Sequence, residues 1–254
     1  MYSIKELIGV LAGGLVMLGL AGQAAAESLA LDFAGAQGGL DARWAPMTFE
    51  KIPRHTRYRL VTEDAGGILE AEAEASASGL RYALNVGLTP ESTLSWRWKV
   101  SGVLARGDVS RRDGDDYPAR IYVTFDFDEG LLSWGERMKL RAARMIYGKD
   151  LPFAAINYIW ASKAKKGLIV PNPYTDRVRM IVVDSGTAEA GQWRSHRRNL
   201  MADFEAAFGF RPRGLTGVAV MTDTDNTGER ATAWYTGLQL ENITLNTSSK
   251  VEAK

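Results

Sequence analysis

The feature that most constrains the fold is alternation with a period of two. Along residues 68–77, Leu69, Ala71, Ala73, Ala75 and Ala77 share one parity, while Glu70, Glu72 and Glu74 share the other. Along 94–100, Leu94, Trp96, Trp98 and Val100 alternate with Ser95, Arg97 and Lys99. Along 119–128, Ile121, Val123, Phe125 and Phe127 alternate with Arg120, Tyr122, Thr124 and Asp126. Side chains of a strand point to opposite faces in turn, so each stretch reads as a strand with one buried face. Residues 28–33, 56–62, 79–88, 178–184, 217–222 and 232–245 read the same way, about nine strands in all. One-sided strands suit antiparallel packing. The 26 glycines in 254 residues favour many turns over long helices.

Two stretches break the alternation. Residues 131–147 are rich in Leu, Met, Arg and Ala, and residues 195–208 end at Gly209, so both are expected to be helices. The expected architecture is mainly β: a jelly-roll-like antiparallel β-sandwich with two helical insertions.

The first 26 residues read as an address. Lys5 precedes an apolar run over 8–20, and Ala24-Ala25-Ala26 places small residues where a signal peptidase cuts. The run is too short for the roughly 20 residues that cross a bilayer. Cleavage after Ala26 would leave a single domain over 27–245 and a flexible tail over 246–254. The expected compartment is the periplasm.

Composition narrows the chemistry. A net charge of +1 lacks the basic excess of a nucleic-acid binder. Without cysteine there is no disulfide, thiolate metal site or thiol nucleophile. The two histidines, His55 and His196, cannot build a multi-histidine metal site. Ser195 and His196 are adjacent and point apart, so they do not pair as nucleophile and base.

Three motifs remain. Met221-Thr-Asp-Thr-Asp-Asn-Thr-Gly228 opens like a calcium loop, with Asp223, Asp225 and Thr227 as oxygen donors, but its twelfth position is Trp234 instead of Glu. Two readings stand, a Ca²⁺ site and a polar turn capped by its own side chains. The second motif, residues 113–120, sets Asp115, Asp116 and Arg120 at the entrance of a strand that continues to Tyr122. Such a cluster could orient a sugar, with Tyr158 and Trp160 stacking on its ring. It could also serve as a glycosidase acid and base, or pin a loop to the sheet. The third is basic: residues 131–166 carry eight cations against Glu136 and Asp150. It reads as a peripheral membrane or polysaccharide contact, or as a solvated helix face balanced by the Glu70, Glu72 and Glu74 stripe.

A set of short motifs in fixed order resembles one family. These are Tyr58-Arg-Leu-Val61, Ser76-Ala-Ser-Gly-Leu80, Ser95-Trp-Arg-Trp98, Gly114-Asp-Asp-Tyr-Pro-Ala-Arg-Ile-Tyr-Val123 and Asn157-Tyr-Ile-Trp-Ala161. Gly191-Gln-Trp193, Arg198-Asn-Leu-Met-Ala-Asp203, Ala207-Phe-Gly209 and the 221–227 turn follow. The set is similar to the bacterial family catalogued as domain of unknown function 3047. The resemblance implies an exported protein and supplies no catalytic residues. The leading expectation is a non-catalytic periplasmic binding protein for a glycan or similar polar envelope ligand. The alternatives are a carbohydrate-active hydrolase or lyase using Asp115 and Asp116, and an envelope interaction protein using the basic segment.

Overall fold

The computed structural model describes residues 26–62, 66–131, 134–135, 137–138 and 154–246. Twelve strands and one α-helix form among them: β1 (Glu27–Ala30), β2 (Trp44–Met47), β3 (Arg57–Thr62), β4 (Ile68–Glu74), β5 (Ala77–Val100), β6 (Arg120–Asp126), β7 (Ala154–Ala161), β8 (Ile169–Asn172), β9 (Thr175–Ser185), β10 (Arg194–Asn199), α1 (Leu200–Phe208), β11 (Gly214–Asp223) and β12 (Arg230–Leu245). All pairings are antiparallel except β7 with β9.

The architecture turns on β5. Its 24 residues would extend about 80 Å if straight, and they divide between two halves of the sheet. Its first part pairs with β2 and β11, continuing through β6, β7, β9 and β8. Its second part pairs with β10 and β12, and β12 leads to β4 and β3, with β1 beside it. Residues 79–88 and 94–100, expected as separate strands, are thus one strand. The link near Pro90 is fixed from outside: Ser92 and Thr89 hydroxyls donate to the Asn242 carbonyl at 2.7 and 2.9 Å. Asn199 donates to the Pro90 carbonyl at 2.7 Å.

The two halves face each other across one core. Trp96 and Trp98 from β5 pack against Tyr158 and Trp160 from β7, with ring centroids 5.1 and 6.1 Å apart. Such aromatic burial supplies much of a core's hydrophobic stabilisation. The fold is a β-sandwich, as the alternation predicts.

The expected second helical insertion differs. Residues 194–199 are strand β10, and the helix begins only at Leu200. Asn199 caps it by accepting from the Ala202 N–H at 2.8 Å, and Gly209, at φ 81°, ends it in the left-handed conformation. The first expected insertion, 131–147, lies largely outside the described residues. The strand expected over 68–77 stops at Glu74, because Ala75 turns with φ 44°. Its glutamates are also neutralised by near neighbours: Glu70 by Arg59, Glu72 by Arg57 and Glu74 by Arg230.

Strand β7 is buried on both faces. Its outer side meets a second, small core in which Tyr117 joins Ile159, Ala161, Met180 and Val182. The segment leading into β6 therefore lies over part of the sheet and leaves the rest of that face open.

Candidate functional site

Two of the sequence motifs meet in space. Asp116, in the loop before β6, accepts from the Thr227 N–H at 2.6 Å and from Asn226 Nδ2 at 3.0 Å. Both belong to the turn after β11. Arg120 pairs with Asp223, and both side chains are buried. Asp115 accepts from Tyr117 Oη at 3.0 Å and Asn172 Nδ2 at 2.8 Å. The arrangement ties the 113–120 loop to the 223–228 turn and to the end of β8.

The electrostatics of this knot are crowded. Asp116, Asp223 and Asp225 each bring a carboxylate oxygen within 4.8 Å of the others. Burial pushes the Asp223 carboxyl well above its ordinary range, against the pull of Arg120. Burial and the charge of Asp116 push Asp225 up as well, and burial raises Asp115. Protonation or a cation can relieve such crowding. A cation would draw on Asp116, Asp223 and Asp225; of the three donors expected from the sequence, Thr227 instead gives its backbone N–H to Asp116. The Arg120 guanidinium sits between the rings of Tyr117 and Tyr122, 5.2 and 5.3 Å from their centroids.

The remaining sequence candidates lie elsewhere. Tyr158 and Trp160 have no exposed surface and belong to the central core. Tyr158 donates to Asp203 Oδ2 at 2.7 Å, and Trp160 donates to the Gly186 carbonyl at 3.1 Å. Neither ring offers a face to a ligand. Asp115 and Asp116, at 5% and 0% exposure, are equally enclosed. Tyr122 alone of the expected ligand residues reaches an open cavity.

That cavity is a groove of about 350 Å³ on the open face of the first half of the sheet. Strand register builds it. Arg81 on β5 pairs with Ala219 on β11, and Ala219 pairs with Tyr122 on β6. The next row on that face sets Gly217 beside Thr124, and Thr124 beside Ala155. Small residues at Ala219, Gly217 and Ala155 lower the floor, while Arg81, Tyr122, Met47 and Phe49 rise around it. Neighbouring strands lie about 4.8 Å apart, so Arg81 and Tyr122 stand roughly 10 Å from each other across the floor. Among the described residues, the groove lining includes no carboxylate and no histidine.

Sequence reasoning passed over Arg81, Met47 and Phe49. Arg81 falls inside an expected strand, and its outward parity was the available signal. The small residues that make the floor gain meaning only from the register.

His196 has a structural setting too. It lies 2.6 Å from Asp184 Oδ2, which also accepts from Trp98 Nε1 at 2.8 Å. Lys166 reaches the other oxygen at 3.0 Å. Burial draws the Asp184 carboxyl upward, but the hydrogen bonds from His196 and Trp98 outweigh it and hold it below the ordinary range. On strand β10, Ser195 and His196 point to opposite faces, so they remain unpaired.

A family described as protein of unknown function (DUF3047) matches residues 42–239. No curated protein matches the chain. Among solved structures, the chain is similar to a family 11 carbohydrate-binding module from Clostridium thermocellum in complex with a β-1,3-1,4-mixed-linked tetrasaccharide. The identity is 12% and the TM-score 0.40, over 88% of this chain and 100% of that one. It is also similar to the xyloglucanase domain of NopAA, a type three effector from Sinorhizobium fredii, in complex with cellobiose. There the identity is 9% and the TM-score 0.36, over 81% of this chain and 96% of that one. Likeness at this level carries no argument about ligand or activity.

Proposed function

The chain belongs to the DUF3047 family, membership of which brings no assigned activity, and from the groove itself we propose that it is a non-catalytic periplasmic protein that binds a glycan or similar polar envelope ligand. The observation that carries this reading is the groove's construction. Tyr122 and Phe49 stand beside a floor of Gly217, Ala219 and Ala155. Ligand sites are mostly apolar concavities with a few polar groups that set orientation. A sugar ring has C–H faces that pack on aromatic rings and a hydroxyl rim that meets polar groups. Arg81 and Thr124 are the polar groups available here.

The hydrolase reading finds less support. Its acid and base, Asp115 and Asp116, are buried and hydrogen-bonded within the knot beside the groove. A glycosidase needs two carboxyls flanking an accessible bond. Titration calorimetry against a panel of envelope oligosaccharides tests the proposal. Binding that weakens at least tenfold in Tyr122→Ala and Phe49→Ala supports it; no binding, or binding indifferent to both, rejects it.

A second reading, peripheral contact with an anionic surface through the 131–166 segment, draws on Trp134, which is 73% exposed. Sedimentation with anionic vesicles tests it, and loss of sedimentation in Trp134→Ala is the expected result.

A further inference from the structure

Among the described residues, Arg81 is the only charged one lining the groove, and its side chain has neither an ion pair nor a hydrogen bond there. The other arginines set into this sandwich are different. Arg120, which is buried, pairs with Asp223, and the partly buried Arg198 pairs with Asp203. A partly buried guanidinium beside apolar walls gives up hydration without gaining a counter-charge. An anion placed against it recovers that loss through charge-assisted, two-pronged hydrogen bonds.

The direction of the side chain strengthens the point. A Cβ added at Gly217 would lie 3.3 Å from Arg81 Nε, so the arginine reaches over the groove floor towards β11. Its strand register puts it in one row with Ala219 and Tyr122. A ring resting on Ala219 against Tyr122 would present its edge to the guanidinium.

We infer that the groove is built for an acidic sugar, one whose ring carries a carboxylate that Arg81 receives in a forked pair. This rests on the groove being the glycan site. The Thr124 hydroxyl accepts from Thr216 at 2.8 Å and donates to the Gly217 carbonyl at 3.2 Å, which leaves one lone pair to accept from a sugar hydroxyl.

The test compares a tetramer of galacturonic acid with the same tetramer after its carboxyls are reduced to alcohols. Both are titrated against the folded protein and its Arg81→Ala, Arg81→Lys and Tyr122→Ala variants, with circular dichroism confirming that each is folded. The inference expects carboxyl reduction to weaken binding tenfold to a hundredfold. Arg81→Ala should lose as much for the acidic tetramer and change little for the neutral one. Arg81→Lys should fall between, since it keeps the charge and loses the fork. Equal affinity for both tetramers, with Tyr122→Ala weakening each, overturns the acidic assignment and leaves the groove reading intact. Absence of binding to either tetramer, or binding unaffected by Tyr122→Ala, overturns both.

Discussion

Replacing Asp116 with Asn separates a structural knot from a ligand site. The Asp116 side chain is fully buried and faces three N–H donors: Thr227 N at 2.6 Å, Asn226 Nδ2 at 3.0 Å and Asn226 N at 3.3 Å. Asparagine keeps the shape and one oxygen, but sets an NH₂ group against a donor. Leaving a buried donor unsatisfied costs about 1–3 kcal/mol, and hydrogen bonds to a charged group lie at the upper end. Against this, removal of one charge relieves repulsion with Asp223 and Asp225, whose carboxyls Asp116 pushes upward. The balance is a loss of about 2 kcal/mol, or roughly 4–8 °C in melting temperature for a domain of this size. Thermal melts followed by circular dichroism at pH 7 measure it directly. A melting temperature within 1 °C of the parent, combined with weakened oligosaccharide binding, would refute the knot and return Asp116 to the ligand site.

Asp225→Asn should raise stability relative to the parent, and the gain should grow with pH. The folded Asp225 carboxyl is raised, so its stabilising protonated form is present below the unfolded value near 3.8 and is lost as pH rises through the folded value. Melts from pH 4 to pH 8 check the sign; a parent that millimolar Ca²⁺ stabilises by several degrees, with no such gain in Asp225→Asn, would instead make the knot a metal site. Asp184→Asn should cost about 3 kcal/mol, because it strips a buried acceptor from His196, Trp98 and Lys166. Its lowered carboxyl makes the opposite pH statement: the contribution is present above the unfolded value and disappears as pH falls through the folded one, so urea midpoints of parent and variant should converge in acid. Tyr158→Phe removes the donor to Asp203 inside the core and should cost about 1–2 kcal/mol without altering ligand affinity, a result calorimetry and melting together can deny.

The fold was legible wherever one face of a strand meets the core and the other meets water or charge. Strands β3, β4, β6 and β12 carry that alternation. Strand β7 does not, because the loop before β6 and the β8 hairpin cover its outer side, leaving both faces buried. Strand β10 hides for the opposite reason. Arg194, His196 and Arg198 share the parity that pairs with Trp98, Trp96 and Leu94; Asp184 on β9 faces the first two, and Asp203 on α1 pairs with the third. Asp184 sits on another strand, so no local pattern encodes it as their partner. Helix α1 was legible from its stop at Gly209, but the charged residues before it also suit a helical reading, and the expected start at 195 falls within β10.

The site divides in the same way. The loop around Asp115–Arg120 and the turn at Asp223–Gly228 are each visible as polar punctuation. Their fusion depends on β6 and β11 being neighbours in a register that sets Arg120 opposite Met221. Tyr158 and Trp160 read as stacking aromatics because sequence cannot say which face of a two-sided strand is covered. The groove was least visible. Glycine and alanine at 155, 217 and 219 are ordinary residues until three strands align them.

The most direct test of the account maps where ligand binds. Amide chemical shifts of isotope-labelled protein, recorded during titration with an oligosaccharide that binds, report contact residue by residue. The account predicts that the largest changes fall on Arg81, Gly217, Ala219, Tyr122 and Thr124, the adjoining rows of β5, β11 and β6. It predicts little change at Trp193, in the loop before β10, or Trp234 on β12, whose rings both lie against Lys99 in the second part of β5. Changes centred on those tryptophans, with the groove residues unmoved, would contradict it.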